Sequence, residues 1–250
     1  MTADLWVFAY GSLMWRPGFA YREMRRARLT GYHRAFCVCS VHHRGTPGRI
    51  GLVLGLDRGG VCEGVAYRID AQDVPETRAY LRARELVNGV YREALRPVEL
   101  ETTGSEAGSA PSAPTLPSFP QRGRGRSDRE TTVRTTALAY IVERAHPTYA
   151  GHLPPVIQAR LIRAASGLSG TNLDYLISTV RHLKALGIRE RGLERLVTLA
   201  GPLAWTEARA PHTSAYAASI VRSEQRRPPP LRLPARRSGS DFLFRLRQGP

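Results

Sequence analysis

The sequence predicts an α+β fold in which a small closed β-barrel is followed by a helical cap. Strand-like apolar runs fill the first 142 residues with a single helix among them, and helical periodicity takes over from about residue 155. Strands early and helices late argue against a doubly wound sheet, where the two would alternate. Closing many short strands into a barrel removes their exposed edges. A chain of 250 residues, 42% hydrophobic, has enough apolar material for one core with appendages.

The first strand is Leu5-Trp6-Val7-Phe8-Ala9, running without a polar break into Tyr10-Gly11-Ser12-Leu13. Gly11 permits a tight turn and lets another molecule approach the main chain. Backbone amides at such a strand end are released from the ladder and can point at an anion. Trp15 to Arg28 is a mixed stretch crossing a basic patch, and Leu29 to Val38 alternates as a strand. Ile50 to Leu56 and Val61 to Ile69 flank Asp57-Arg58-Gly59-Gly60, which reads as a hairpin with a Gly-Gly turn.

A helix follows, with Asp73 as cap, Pro75 in the first turn and Glu76 completing a capping box. Ala79, Tyr80, Ala83, Leu86 and Val87 form its expected apolar stripe, and Gly89 ends it. Ala94 to Leu100 and Thr132 to Val142 are further strands. Between them, 101–130 is rich in Gly, Ser, Pro and Thr and carries Arg122-Gly123-Arg124-Gly125-Arg126, the composition of a disordered insertion. Three helices are expected, from about Pro155 to Ser166, from a Thr171/Asn172 cap to near Gly187, and from Arg189 to Ala200. The domain expected is therefore 1–206, with an Arg- and Pro-rich disordered tail at 207–250.

The formal net charge is +16, and Lys184 is the only lysine among 37 basic residues. A basic chain attracts nucleic acid, anionic lipid or an anionic small substrate. The Arg-Gly tract and the tail allow a nucleic-acid-binding adaptor as the competing reading, but few aromatics interleave with the charge there. Three cysteines (Cys37, Cys39, Cys62) do not make a disulfide framework and fit a reducing, cytoplasmic setting. The N-terminus lacks the pattern of a signal peptide, and no run approaches the ~18 apolar residues of a membrane span.

Cys37, Cys39, His42 and His43 have no second ligand pair at finger-like spacing, so no metal is expected. Ser12 lacks the Gly-x-Ser-x-Gly of a nucleophile elbow, and no Lys follows Gly59-Gly60 as a phosphate loop requires. Three carboxylates remain as acid/base candidates. Glu85 lies off the expected stripe of its helix, Glu63 shares a strand face with Val61 and Val65, and Glu93 is the third.

Six stretches carry a resemblance. They are Trp6-Val7-Phe8-Ala9-Tyr10-Gly11-Ser12-Leu13-Met14-Trp15, Gly31-Tyr32-His33-Arg34-Ala35-Phe36, His43-Arg44-Gly45-Thr46-Pro47-Gly48, Gly64-Val65-Ala66-Tyr67-Arg68, Arg84-Glu85 with Gly89-Val90-Tyr91-Arg92, and Ala165-Ser166-Gly167 through Gly170-Thr171-Asn172 to Tyr175-Leu176. In this order they resemble the ChaC family of glutathione-specific γ-glutamylcyclotransferases, from Leu5 to about Leu199. Ala9 stands where many members have Gly, and the insertion and tail have no counterpart in the pattern.

The resemblance implies a small mixed barrel flanked by helices. It implies that Val7, Phe8, Ala9, Tyr10, Gly11, Ser12 and Leu13 hold a γ-glutamyl group and that Glu85 is the catalytic glutamate. The implied substrate is glutathione, or another γ-glutamyl compound such as a γ-glutamyl-amine. Such a substrate carries its own nucleophile, since its α-amine closes onto the γ-carbonyl to give 5-oxoproline, and glutathione then releases cysteinylglycine. One carboxylate passing a proton suffices, with no metal or cofactor.

Overall fold

The computed structural model describes residues 3–102 and 132–201. The expected insertion, beyond its first two residues, and the expected tail lie outside them. The elements are β1 (Leu5–Ala9), a one-turn 3₁₀ helix (Ser12–Met14), β2 (Glu23–Ser40), β3 (Gly51–Ile69), α1 (Val74–Glu85), β4 (Tyr91–Glu101) and β5 (Thr132–Val142). Helix α2 (Pro155–Ala164), a ribbon of β6 (Ser166–Gly167) and β7 (Gly170–Thr171), α3 (Asn172–Ala185) and α4 (Arg191–Ala200) complete them.

Five strands close into a barrel in the order β1-β3-β2-β4-β5. It is mixed because β1 runs antiparallel to β3 and parallel to β5, the latter through Trp6↔Ala137 and Val7↔Leu138. The side chains of Val7, Phe8, Leu29, Leu52, Tyr67, Leu100 and Leu138 fill the core. The α+β class and the small flanked barrel are as the sequence implies.

The hairpin expected at Asp57–Gly60 does not exist. β3 passes straight through it, and the hairpin lies between β2 and β3, turning across 41–50. Gly59 and Gly60, with φ of 98° and 72°, oppose Gly31 at 87° where the register slips between Thr30↔Val61 and Tyr32↔Arg58. Glycines in left-handed conformation on both strands make a bulge that bends a long pair without ending it. Asp57 is no turn residue either. It is buried, accepting from Tyr149 Oη at 2.7 Å, Arg144 Nε at 2.7 Å and the Arg58 amide at 2.8 Å.

Helix α1 buries a different face from the one its sequence suggests. Thr77 and Leu81 are inside, whereas Ala79, Ala83 and Val87 are exposed, Val87 by 51%. Each Ala offers little apolar area, and one Leu outweighs both in deciding which side packs. Asp73 precedes the helix but makes no side-chain cap bond, so the expected capping box does not form. At α3, in contrast, Thr171 Oγ1 accepts from the Asp174 amide at 3.0 Å as the cap pattern predicts.

Asn172, the first residue of α3, is fully buried. It accepts from the Leu52 amide and donates to the Leu52 carbonyl, both at 2.7 Å. That clamp fixes the helical cap on β3 and places Tyr175, one turn on, over the end of the barrel.

Candidate active site

The candidate residues gather where β1 stops. Val7, Phe8 and Ala9 are completely buried and paired with β3, so their side chains belong to the core. Gly64 is required opposite them, because a Cβ there would stand 2.3 Å from the Ala9 carbonyl oxygen. Beyond Ala9 the carbonyls of the turn are all occupied. Arg34 Nε donates to Tyr10 O, the Met14 amide to Gly11 O and the Arg16 amide to Ser12 O. Tyr67 Oη donates to Met14 O at 2.8 Å and approaches Leu13 O at 3.2 Å.

With its carbonyls turned away, the segment presents amides. Among the described residues those of Gly11, Ser12 and Leu13 donate to no protein acceptor. Three adjacent N–H groups without a protein acceptor can receive an anion. Gly11 has a φ of −133°, outside the left-handed region that calls for glycine. A methyl there would make ordinary van der Waals contact with the Tyr175 hydroxyl at 3.8 Å and Leu54 at 3.7 Å.

Glu85 ends α1 one turn after Leu81, on the face that packs, and its side chain is only 18% exposed. Arg84 ties it to the turn. Its Nε lies 3.1 Å from Glu85 Oε1, and its Nη2 donates to Ser12 Oγ at 3.0 Å. The same guanidinium donates through Nη1 to Tyr80 Oη at 2.9 Å and to the Arg16 carbonyl at 2.5 Å. Burial pushes the Glu85 carboxyl above its usual range, against the opposing pull of Arg84.

Four phenols lie within electrostatic reach of this carboxylate. Tyr10 donates to Tyr140 O at 3.0 Å and Tyr91 to Leu54 O at 2.7 Å. Tyr140 and Tyr175 complete the set. Burial first and the Glu85 charge further down push Tyr10, Tyr91 and Tyr140 up, and Tyr175 to about 12. All four therefore stay protonated near neutral pH. Arg44 packs its guanidinium 5.1 Å from the centre of the Tyr175 ring, at the rim. The sequence assigns no role to Arg34, Arg84, Tyr91, Tyr140 or Tyr175, which lie on β2, α1, β4, β5 and α3. Arg34, Arg84, Tyr91 and Tyr175 stand in the stretches that carry the resemblance, which is the signal that could have found them, and Tyr140 has none.

The other two carboxylates fare differently. Glu63 is exposed and lines a surface groove with Arg26, Arg28, Glu99 and Glu101. Glu93 is committed to a network, accepting from Arg82 at 2.9 Å through both oxygens, from Arg78 at 3.1 Å and from Tyr140 Oη at 3.2 Å. The bonds from Arg82 hold its carboxyl below the usual range despite partial burial.

A depressed folded pKa contributes stability above the unfolded value of ~4.3 and loses it as pH falls through the folded value. Thermal melts between about pH 6 and pH 3 are thus expected to show an acid-induced loss that Glu93→Gln flattens.

Cys37 and Cys39 are buried on β2 and form no disulfide among the described residues, while His42 and His43 are exposed beyond it. Among the described residues no group of three His, Cys, Asp or Glu side chains is gathered for a metal ion, and no helix is long and apolar enough to cross a membrane.

Comparison with known proteins agrees with the fold. A crystal structure of a glutathione-specific γ-glutamyl cyclotransferase from yeast superposes with a TM-score of 0.64 at 24% identity, over 81% of this chain and 100% of that one. The glutathione-specific γ-glutamylcyclotransferase of Escherichia coli K12 is 33% identical over 193 residues, 77% of this chain and 71% of its own length. Glutathione-specific γ-glutamylcyclotransferase 1 of Mus musculus is 34% identical over 205 residues, 80% of this chain and 79% of its own. The family described as ChaC-like protein matches residues 5–201, and the chain belongs to it.

Proposed function

We propose that this protein is a γ-glutamylcyclotransferase that acts on glutathione in the cytoplasm, releasing 5-oxoproline and L-cysteinylglycine by intramolecular aminolysis. The observation that carries the reading is that one guanidinium, Arg84, touches both the Glu85 carboxylate and the Ser12 side chain beside the free amides. The relatives' named activity supports the substrate.

In this reading the Tyr10–Leu13 turn holds the γ-glutamyl group at the end of buried β1. The amides of Gly11, Ser12 and Leu13 receive the substrate carboxylate or the oxyanion that forms on the γ-carbonyl. Binding the tripeptide bent brings its α-nitrogen to its own γ-carbon, so most of the barrier is met by proximity. The ammonium, whose free pKa is near ~8, first gives one proton to solvent, and Glu85 takes the second from the amine as its nitrogen attacks the γ-carbon. Glu85 then returns that proton to the cysteinyl nitrogen as the amide bond breaks. Burial suits Glu85 to both steps, since an ordinary carboxyl near ~4.3 is a weak donor at neutral pH. The chemistry calls for no metal or nucleotide because the nucleophile is in the substrate.

Incubating pure full-length protein with glutathione and with γ-glutamyl-amines, and measuring 5-oxoproline, tests the reading. Release from glutathione supports it. Release from the amines alone would move the substrate, and none from either would remove the activity.

A further inference from the structure

We propose that Arg84 is a positioning residue, whose guanidinium aims the Glu85 carboxylate at the Gly11–Leu13 amides and keys it to the Ser12 hydroxyl. The inference rests on the reading of Glu85 as the proton carrier. Arg84 is neither a solvated helix-end cation nor a simple neighbour of Glu85. Its side chain is 24% exposed, and its donors are spread over three segments. Nη1 meets the Arg16 carbonyl and Tyr80 Oη, which anchor the guanidinium to the chain after the turn and to its own helix. Nη2 reaches Ser12 Oγ at 3.0 Å, and Nε is left for Glu85 Oε1 at 3.1 Å. A planar guanidinium held at these points has its charge fixed in place, so the carboxylate pairs with a cation whose position is set by the turn.

The groups facing Glu85 make this arrangement consequential. Tyr10 from the end of β1, Tyr91 from β4, Tyr140 from β5 and Tyr175 from α3 are all neutral phenols. Glu93 is neutralised by Arg78 and Arg82. Among the described residues Arg84 is the cation in salt-bridge contact with Glu85. Without it, burial alone acts on the carboxyl, which would hold its proton to higher pH and be unavailable as a base.

The test measures 5-oxoproline release from glutathione against pH for the full chain, together with a ¹³C NMR titration of the Glu85 carboxyl. Arg84→Met is expected to raise the acid limb of kcat/KM and the NMR midpoint together, by about one to three pH units. Arg84→Lys keeps the charge and loses the fork. It is expected to return the acid limb toward wild type while kcat stays about 10- to 100-fold low with KM little changed.

An acid limb unmoved in folded Arg84→Met, with Glu85→Gln inactive, would overturn this inference and leave the role of Glu85 standing. Near-normal turnover of Glu85→Gln would overturn that role instead. If Arg84→Met does not fold, Arg84→Lys decides, since wild-type kcat at every pH would sink the positioning role and a fall in kcat at constant KM would uphold it.

Discussion

Glu85→Gln is expected to fold as the parent does and to lose about 10²- to 10⁴-fold in kcat on glutathione, with little change in KM. Glutamine keeps the size of the side chain and one acceptor for Arg84 Nε, which lies 3.1 Å from Oε1. Leu81, buried one turn back, and the phenols of Tyr10, Tyr91 and Tyr175, which feel the Glu85 charge, need no change. What disappears is the ability to accept and return a proton. Residual rate should persist, because binding the tripeptide bent and stabilising its oxyanion with the Gly11–Leu13 amides are independent of Glu85. Steady-state kinetics with a parallel melting curve gives the answer. Turnover within a few-fold of the parent would move the acid/base role to another group.

Arg34→Met is expected to be the most destabilising change near the site. The Arg34 side chain is fully buried on β2 and binds three partners in different parts of the chain: Tyr10 O after β1, Glu63 O on β3, and the Glu190 carboxylate at the start of α4. Methionine fills the volume but leaves two carbonyls and a carboxylate without their donor. Breaking a buried pair from one side costs about 3–5 kcal/mol, and the partial exposure of Glu190 places this case near 3.

In a domain of this size that is a fall of roughly 6–12 °C in Tm. The double variant Arg34→Met with Glu190→Met should recover part of the loss, since the orphaned charge is gone. kcat/KM should fall as well, because Arg34 holds the Tyr10 carbonyl and with it the direction of the amides that follow. A Tm within about 2 °C of the parent would show that the three bonds contribute little beyond packing.

Much of this protein was legible in order along the chain. The apolar run into Tyr10-Gly11-Ser12-Leu13, the strand Thr132–Val142 and the Thr171 cap of α3 are local features, decided by residues a few positions apart. The small mixed barrel and the family followed from stretches matched in sequence order. Local patterning failed where the decision was made at a distance. Asp57-Arg58-Gly59-Gly60 has every residue of a hairpin turn, yet β2 continues opposite it with Gly31, and paired bulges cost less than ending a 19-residue strand inside a closed barrel. On α1 two alanines suggested one face while Leu81 found the core with another, and that rotation is what brought Glu85 inward.

The site itself is divided in the same way. The sequence alone determined the candidates, a strand end at Tyr10-Gly11-Ser12-Leu13 and the three carboxylates Glu63, Glu85 and Glu93, because the proposed chemistry asks for one carboxylate and open amides. The resemblance singled out Glu85, and only the tertiary structure shows how differently the three candidate carboxylates are surrounded. Glu63 faces the surface, Glu93 is spent on Arg78, Arg82 and Tyr140, and Glu85 lies beside Ser12 through Arg84. The physical reason is that proton affinity depends on burial and on nearby charge. Those come from β1, β4, β5 and α3 meeting at one end of the barrel, segments as much as 165 residues apart between Tyr10 and Tyr175.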